Sequence, residues 1–415
     1  MVSHKPDNRA LETAGLETFT ALAARVRAEP WTFRDSAALA RAAKLERRGL
    51  DALIRTHAHL TPAAWLNRER TGAACRLYGR SGPAMADAAA AVGFASAGAF
   101  ERACLAHMRM RPDAYRRLAD STEFSLLLPK DYRAADILSY HNRDPLSLCE
   151  SVRGQRMFKA LLTPDGAAIL EISLAARRAD CRSHAASRLG PKSMHFLHRT
   201  ALSMLGLVWD TASFEKHGRT HPGLHALVAK RPGMRLPLAA TPFDGLCWAI
   251  VGQQINLAFA SALRRDLIAL AGEKIDGMRA HPTPRQVAAL DIGDLRKKRF
   301  SRSKAQYLTG AAQAILGEAL DVDSMAAGSA VAAQRSLIAV RGIGRWTARY
   351  MLMRGCGFAD CAPVGDVALA AALQRFTAAR LRPTHDEVET LMRPFSPFRS
   401  LATAHLWTSL RDDPG

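Results

Sequence analysis

The stretch VRGIGRWTARYMLMRG, residues 340–355, sets two glycines around one isoleucine and then runs on as a helix over about 345–354. The apolar segment SLIAV before it ends another helix at Val340, so the whole reads helix, Arg-Gly-Ile-Gly turn, helix. Glycine at 342 and 344 lets backbone N–H groups at a helix start approach a phosphate with no Cβ in the way. The same turn also serves helix-to-helix geometry alone, so its meaning depends on the rest of the chain. Twenty-two residues after Gly344, Asp366 stands in CAPVGDVALAAAL, where Pro363 and Gly365 mark a loop that ends as an apolar helix begins. A carboxylate there can simply cap the helix, stabilising it by about 1 kcal/mol, or it can carry chemistry.

The chain has 415 residues, enough for two or three domains with cores of their own. Lys and Arg total 58 against 38 Asp and Glu, a net of +20, while 48% hydrophobic content is that of an ordinary globular protein. The charge is therefore an added property, and a polyanion, nucleic acid first, is the expected partner. Cysteines at 75, 104, 149, 181, 247, 356 and 361 form no Cys-x-x-Cys pair, so neither a zinc site nor a disulfide framework is expected, as suits a reducing cytosol. No apolar run approaches the roughly eighteen residues of a membrane span. The start, MVSHKPDNRALETAG, has no apolar signal core, and a soluble, intracellular protein is expected.

Three textures divide the chain. From about 16 to 118, Ala, Arg and Leu recur at helical spacing, punctuated by Gly72, Gly79, Gly82, Pro83, Gly93 and Pro112 into short helices. Between 121 and 205, EFSLLLPK and MFKALLTPDGAAILEISLAA are strand-like, the second pair joined by a Pro-Asp-Gly turn, with DYRAADILSYHNRD a helix between them. From 206 onward the pattern is helical again. The expected class is mainly α and multidomain: residues 1–120 helical, 121–205 a small α/β module with an antiparallel sheet, and 206–415 all-α.

The segments 36–66 and 82–118 each run helix, turn, helix, then a Thr-Pro or Arg-Pro restart, and together they resemble the AraC-type double helix-turn-helix DNA-binding domain. The resemblance implies that the second helix of each unit, about 47–57 and 96–107, enters the major groove. Arg47, Arg48, Arg55, Ser96 and Arg102 are the polar residues available there, whereas Ala97, Gly98 and Ala99 offer little to a base edge.

The turn at 340–344 with PVGDVAL resembles the helix-hairpin-helix DNA glycosylases. The match is closer to their alkylated-base branch, DNA-3-methyladenine glycosylase II of the AlkA type, through 222–263, Asp366 and RPFSPFRSLATAHLW at 393–407. The module at 121–205 resembles the amino-terminal domain of the same enzymes. With its AraC-like front the chain resembles fusions of Ada-type regulators with this glycosylase, without their zinc methyl acceptor, because only Cys75 and Cys104 lie in the first third.

This resemblance implies a set of roles. Asp366 stabilises the oxocarbenium-like sugar as the glycosidic bond breaks and orients a water. Trp346, Tyr350 and Trp407, with Tyr140 as a looser match, line a base pocket in which a cationic alkylated ring is held by stacking and cation–π attraction. Each aromatic could equally be core packing, although Trp346 and Tyr350, four apart, share one helix face. Gly342, Gly344, Arg345 and Thr347 contact DNA through the hairpin; Gln254, with Gln253 and Ile255 as neighbours, supplies the wedge that fills the flipped base's place, a buried helix start being the other reading of these three; and Arg47, Arg48 and Arg102 contact DNA from the front domain. Val367 departs from the family, where an aromatic often follows the aspartate, and this implies a wider or less selective pocket. Trp346 occupies the position of the lysine that attacks C1′ in strand-cutting relatives, and Arg345 cannot deprotonate to replace it, so a monofunctional enzyme leaving an abasic site is implied. Cys356 and Cys361 alone cannot ligate an iron–sulfur cluster. No cofactor or metal is implied, apart from a monovalent cation that hairpin carbonyls can hold in this family. The implied partner is double-stranded DNA containing alkylated bases, met by a monomer in the bacterial cytoplasm at the nucleoid and not at a membrane. A second reading is an AraC-type transcription regulator whose glycosylase fold no longer catalyses.

Overall fold

The computed structural model describes residues 8–79, 82–220 and 222–412; residues 1–7, which carry part of the reading of the amino terminus, lie outside the described residues. The fold is mainly α with a small antiparallel sheet, as the sequence leads one to expect, and it separates into two compact units, Met1–Arg117 with Ser324–Arg335, and Leu118–Asp323 with Ser336–Gly415.

In the first unit the two helix-turn-helix pairs are Ser36–Ala42 with Arg47–Ala58 and Met85–Ala91 with Ala97–Met108. The long helix Pro62–Leu77 joins them, giving Trp65 and Leu66 to a core with Phe19, Leu39, Leu50 and Ile54, and Ala74 and Cys75 to a second core with Val92, Phe100 and Cys104. Hydrophobic residues at helical spacing thus face inward on both pairs, which leaves Arg47, Arg48 and Arg102 exposed. Two residues counted as available are engaged locally: Ser96 caps its helix by accepting from the Ala99 N–H at 3.2 Å, and Arg55 pairs with Asp51 at 2.6 Å. Segment 324–335 belongs to this unit, where Ser329 Oγ lies 2.7 Å from His57 Nδ1.

The second unit holds both the sheet and the remaining helices. The sheet is antiparallel throughout, in the order Glu123–Leu127, Arg178–Ala185, Gly166–Leu174, Arg156–Thr163, Glu150–Arg153. The Pro-Asp-Gly signal closes the central hairpin, with Thr163 opposite Gly166. One expectation is corrected here: the region after 206 is not all-α, because Lys274–Ile275 and Met278–Arg279 form a two-stranded hairpin. Ile275, Met278 and Ala280 pack there on Ala160 and Ile169 of the main sheet. Strands of two residues are too short to show an alternating pattern.

Charge inside the unit ties sheet to helices. Lys159, 1% exposed on its strand, donates to Asp244 at 3.1 Å, and Arg264 reaches both Asp244 oxygens at 3.0 Å and Glu150 at 2.8 Å. Burial alone would raise the Asp244 carboxyl, but Arg264 and Lys159 outweigh it and hold the group far below the usual carboxylate range. Removing one partner of such a set leaves charge buried without compensation. Lys159→Met is therefore expected to destabilise the unit by about 3 kcal/mol, read by chemical denaturation. A Lys159→Met, Asp244→Leu pair that costs as much as the sum of its two single changes would show that the ions are not coupled.

Candidate active site

A cleft of about 2170 Å³ in the second unit is lined by the turn 340–344, the loop 252–257, Trp248, Asp366 and Trp407. The turn comes first, because its two glycines have different reasons. Gly342 has φ +89, and a Cβ there would lie 2.2 Å from the Tyr307 ring, so the fold itself demands glycine. Gly344 is extended, with φ −84 and ψ 178, and a Cβ there would meet nothing within 4 Å. Among the described residues no contact requires glycine at 344. It is the N-cap residue of helix Arg345–Arg354, has no side-chain cap, and is exposed, so the first-turn N–H groups face outward beside open space.

The loop after helix Pro242–Val251 braces this turn. Gln253 Nε2 donates to the Gly342 carbonyl at 2.9 Å and to Thr347 Oγ1 at 3.0 Å, and Thr347 is 2% exposed. These two side chains therefore hold the hairpin from inside. Lys304 Nζ in turn donates to the carbonyls of Val251 at 2.6 Å and Gln253 at 2.5 Å, and burial pulls this ammonium down to about 8. Gln254 is the loop's exposed tip in left-handed backbone, φ +56, with Ile255 half-buried behind it and Leu257 74% exposed nearby. Arg345 is exposed at the first turn of the hairpin helix.

Asp366 caps the helix Val367–Phe376, and it does more than cap. Its Oδ1 accepts from the Leu369 N–H at 2.8 Å and from Trp407 Nε1 at 3.0 Å, and its Oδ2 from Trp346 Nε1 at 3.4 Å. The rings that orient the carboxylate also make the wall beside it. Trp346 stacks on Tyr350 with centroids 5.4 Å apart and 30° between planes, and Tyr350 lies 6.4 Å from Trp407. Trp248 Nε1 donates to Tyr350 Oη at 3.0 Å, and burial raises that phenol. Tyr140 lines the same cleft, but its ring carries guanidinium groups, Arg143 at 4.2 Å and Arg354 at 4.5 Å from the centroid. Burial would raise the Tyr140 phenol, yet these two cations outweigh it and the phenol falls below its ordinary value. Val367 is exposed at the cleft beside Asp366.

Sequence reasoning missed Trp248, Lys304, Tyr307, Arg143 and Arg354. Trp248 sits one turn before the GQQINL stretch, and Lys304 and Tyr307 share the helix Arg302–Leu316, where a basic SRSKAQY start gives no hint of a brace. As for a hairpin cation, the Val340 carbonyl already accepts from the Ile343 N–H at 3.1 Å and the Gly342 carbonyl from Gln253. Each of these carbonyls keeps a second lone pair. Among the described residues there is also no group of three or more His, Cys, Asp or Glu side chains placed to hold a metal.

Comparison with known proteins places the two units. Residues 39–118 match the family described as a helix-turn-helix domain, and 247–397 the HhH-GPD superfamily of base excision DNA repair proteins. A DNA-3-methyladenine glycosylase of Bacillus subtilis (strain 168) is 31% identical over 205 residues, which cover 48% of this chain and 68% of that protein. A probable bifunctional transcriptional activator/DNA repair enzyme AlkA of Mycobacterium tuberculosis is 29% identical over 194 residues, 46% of this chain and 38% of that one. The solved 3-methyladenine DNA-glycosylase of Archaeoglobus fulgidus shares the fold with a TM-score of 0.61 at 19% identity, over 69% of this chain and 98% of that one. The hairpin, Asp366, Trp346 and Tyr350 lie within residues 247–397, and the chain belongs to the DNA-3-methyladenine glycosylases of the helix-hairpin-helix base-excision superfamily.

Proposed function

We propose that the chain is a monofunctional base-excision glycosylase. It binds duplex DNA, flips an alkylated base into the cleft and releases it by hydrolysis, leaving an abasic site. The observation that carries this reading is the double indole clasp on Asp366, because the two rings that fix the carboxylate are also those a flat base would lie against. A carboxylate held at C1′ stabilises positive charge as the C1′–N bond breaks and its electron pair passes to the base, and it takes the proton of the water that adds to C1′. Gly342, Gly344 and the N–H groups at Arg345 and Thr347 offer the hairpin to a phosphate. Gln254 is the wedge, and Gln253 acts one step back, as its brace. Arg47, Arg48 and Arg102 add duplex affinity from the helix-turn-helix unit. The protein works as a monomer in the cytoplasm; no helix among the described residues is long and apolar enough to cross a membrane. The residues divide by role into 1–120, 121–205 and 206–415, the last carrying the chemistry.

The test is release of free base from methylated duplex DNA, followed by alkali to cut at abasic sites. Borohydride added during turnover should trap no protein–DNA adduct. Among the described residues Lys304 is the lysine lining the cleft, and its amine is held by two carbonyls, so none of them is placed to form a Schiff base. A trapped adduct would overturn the monofunctional assignment, and duplex binding without any base release would leave a DNA-binding regulator instead.

A further inference from the structure

Arg354 ends the hairpin helix, is 8% exposed, and yet lines the cleft. A buried guanidinium ordinarily has a carboxylate or several carbonyls around it. Here no carboxylate pairs with it among the described residues: Nη1 donates to the Pro237 carbonyl, and Nε has no partner. Its other neighbours at the cleft are ring faces, with Cζ 4.5 Å from the Tyr140 centroid and 5.9 Å from that of Trp407. A guanidinium has five donors and no acceptor, and an unmatched polar group in a dry site is costly. Nε is sealed inside the protein, so an acceptor brought by a ligand in the cleft meets the terminal N–H groups of Arg354, beside the Tyr140 and Trp407 rings.

Trp407 gives that acceptor a direction. Its Nε1 is on Asp366 at 3.0 Å and its ring face is beneath Arg354, so the carboxylate and the guanidinium flank one indole. An indole and a purine are both fused five- and six-membered rings. A purine laid along Trp407 with its sugar carbon at Asp366 brings the edge of its six-membered ring to Arg354.

We propose that Arg354 is a specificity-determining residue that reads a hydrogen-bond acceptor on the far edge of the flipped purine, so that the site favours 6-oxopurines such as 7-methylguanine over 6-aminopurines such as 3-methyladenine. This rests on the glycosylase reading above. A 6-carbonyl accepts from the guanidinium, whereas a 6-amino group turns N–H donors toward it. As the C1′–N9 bond breaks, its electron pair passes to N9 and electron density on O6 rises, so the bond to Arg354 strengthens in the transition state.

The experiment is single-turnover release of 7-methylguanine and 3-methyladenine from the same methylated duplex DNA by the full chain, by Arg354→Met and by Arg354→Lys. The ratio of the two rate constants, 7-methylguanine over 3-methyladenine, should fall by about tenfold or more in Arg354→Met, with Arg354→Lys between, because a site built around a polar contact discriminates against bases that lack it. Equal losses for both bases at an unchanged melting temperature would overturn the proposal and leave Arg354 as packing. If the parent releases neither base, the enzyme reading falls and takes this one with it; if it releases both and the ratio does not move, only the role of Arg354 falls. Should Arg354→Met fail to fold, the parent still decides: free hypoxanthine should bind its abasic-duplex complex about tenfold tighter than free adenine, and equal binding overturns the assignment.

Discussion

Asp366→Asn should lower the rate of base release by on the order of 10³-fold while leaving duplex affinity and melting temperature close to those of the parent. The separation follows from the cap that Asp366 makes and from the charge that the proposed mechanism asks of it. As the cap of helix Val367–Phe376, Asp366 accepts from Leu369 N–H through Oδ1. An asparagine oxygen keeps this cap and the bond from Trp407, and the amide loses only the long 3.4 Å bond from Trp346 Nε1, so most of the stability is retained; alanine, which cannot cap, should cost about 1 kcal/mol. In the proposed mechanism only a carboxylate at C1′ offsets the oxocarbenium, and a neutral amide of the same shape does not. Single-turnover release with excess protein reads the chemical step, and an equilibrium binding titration reads affinity. A variant that keeps its rate would move the chemistry away from Asp366, and one that loses binding and rate together would make the residue structural.

Much of this site was legible in the sequence because its elements are local. The Gly-Ile-Gly turn, the helix it opens, the loop before Asp366 and the i, i+4 pair Trp346 and Tyr350 each lie within one short segment, where spacing fixes geometry. The helix-turn-helix pairs are legible for the same reason. What escaped depends on distant segments meeting. Lys304 and Gln253 are separated by 51 residues, and Gln253 and Gly342 by 89, and no periodicity announces that an ammonium and an amide will meet carbonyls there. Gln253 and Gln254 look alike as neighbours in sequence, yet left-handed backbone at Gln254 turns one outward while hydrogen bonds tie the other to the hairpin. Arg354 reads as one more basic residue of a basic chain, and its significance comes only from burial without a carboxylate.

The two hairpin glycines allow a sharper test of what the turn is for, since either alone reads from sequence as a phosphate contact. Gly342→Ala should cost the second unit about 3 kcal/mol or more, because it combines a left-handed backbone that alanine resists with a methyl group driven into the Tyr307 ring. In a unit of this size that is a fall in melting temperature of roughly 6 °C or more. Gly344→Ala meets neither obstacle: its backbone is extended and the space around its Cβ position is empty for 4 Å. Its melting temperature should stay within about 1 °C of the parent's. Its duplex affinity should nonetheless fall by about tenfold, since the methyl group occupies the space through which a phosphate would reach the first-turn N–H groups, and the loss should persist when the salt concentration is raised. If Gly344→Ala binds duplex as the parent does, the open space beside it is not a phosphate site, and the hairpin's role reduces to placing Trp346 and Tyr350 against Asp366. If it destabilises as much as Gly342→Ala, the turn is held by contacts at 344 that its geometry does not contain.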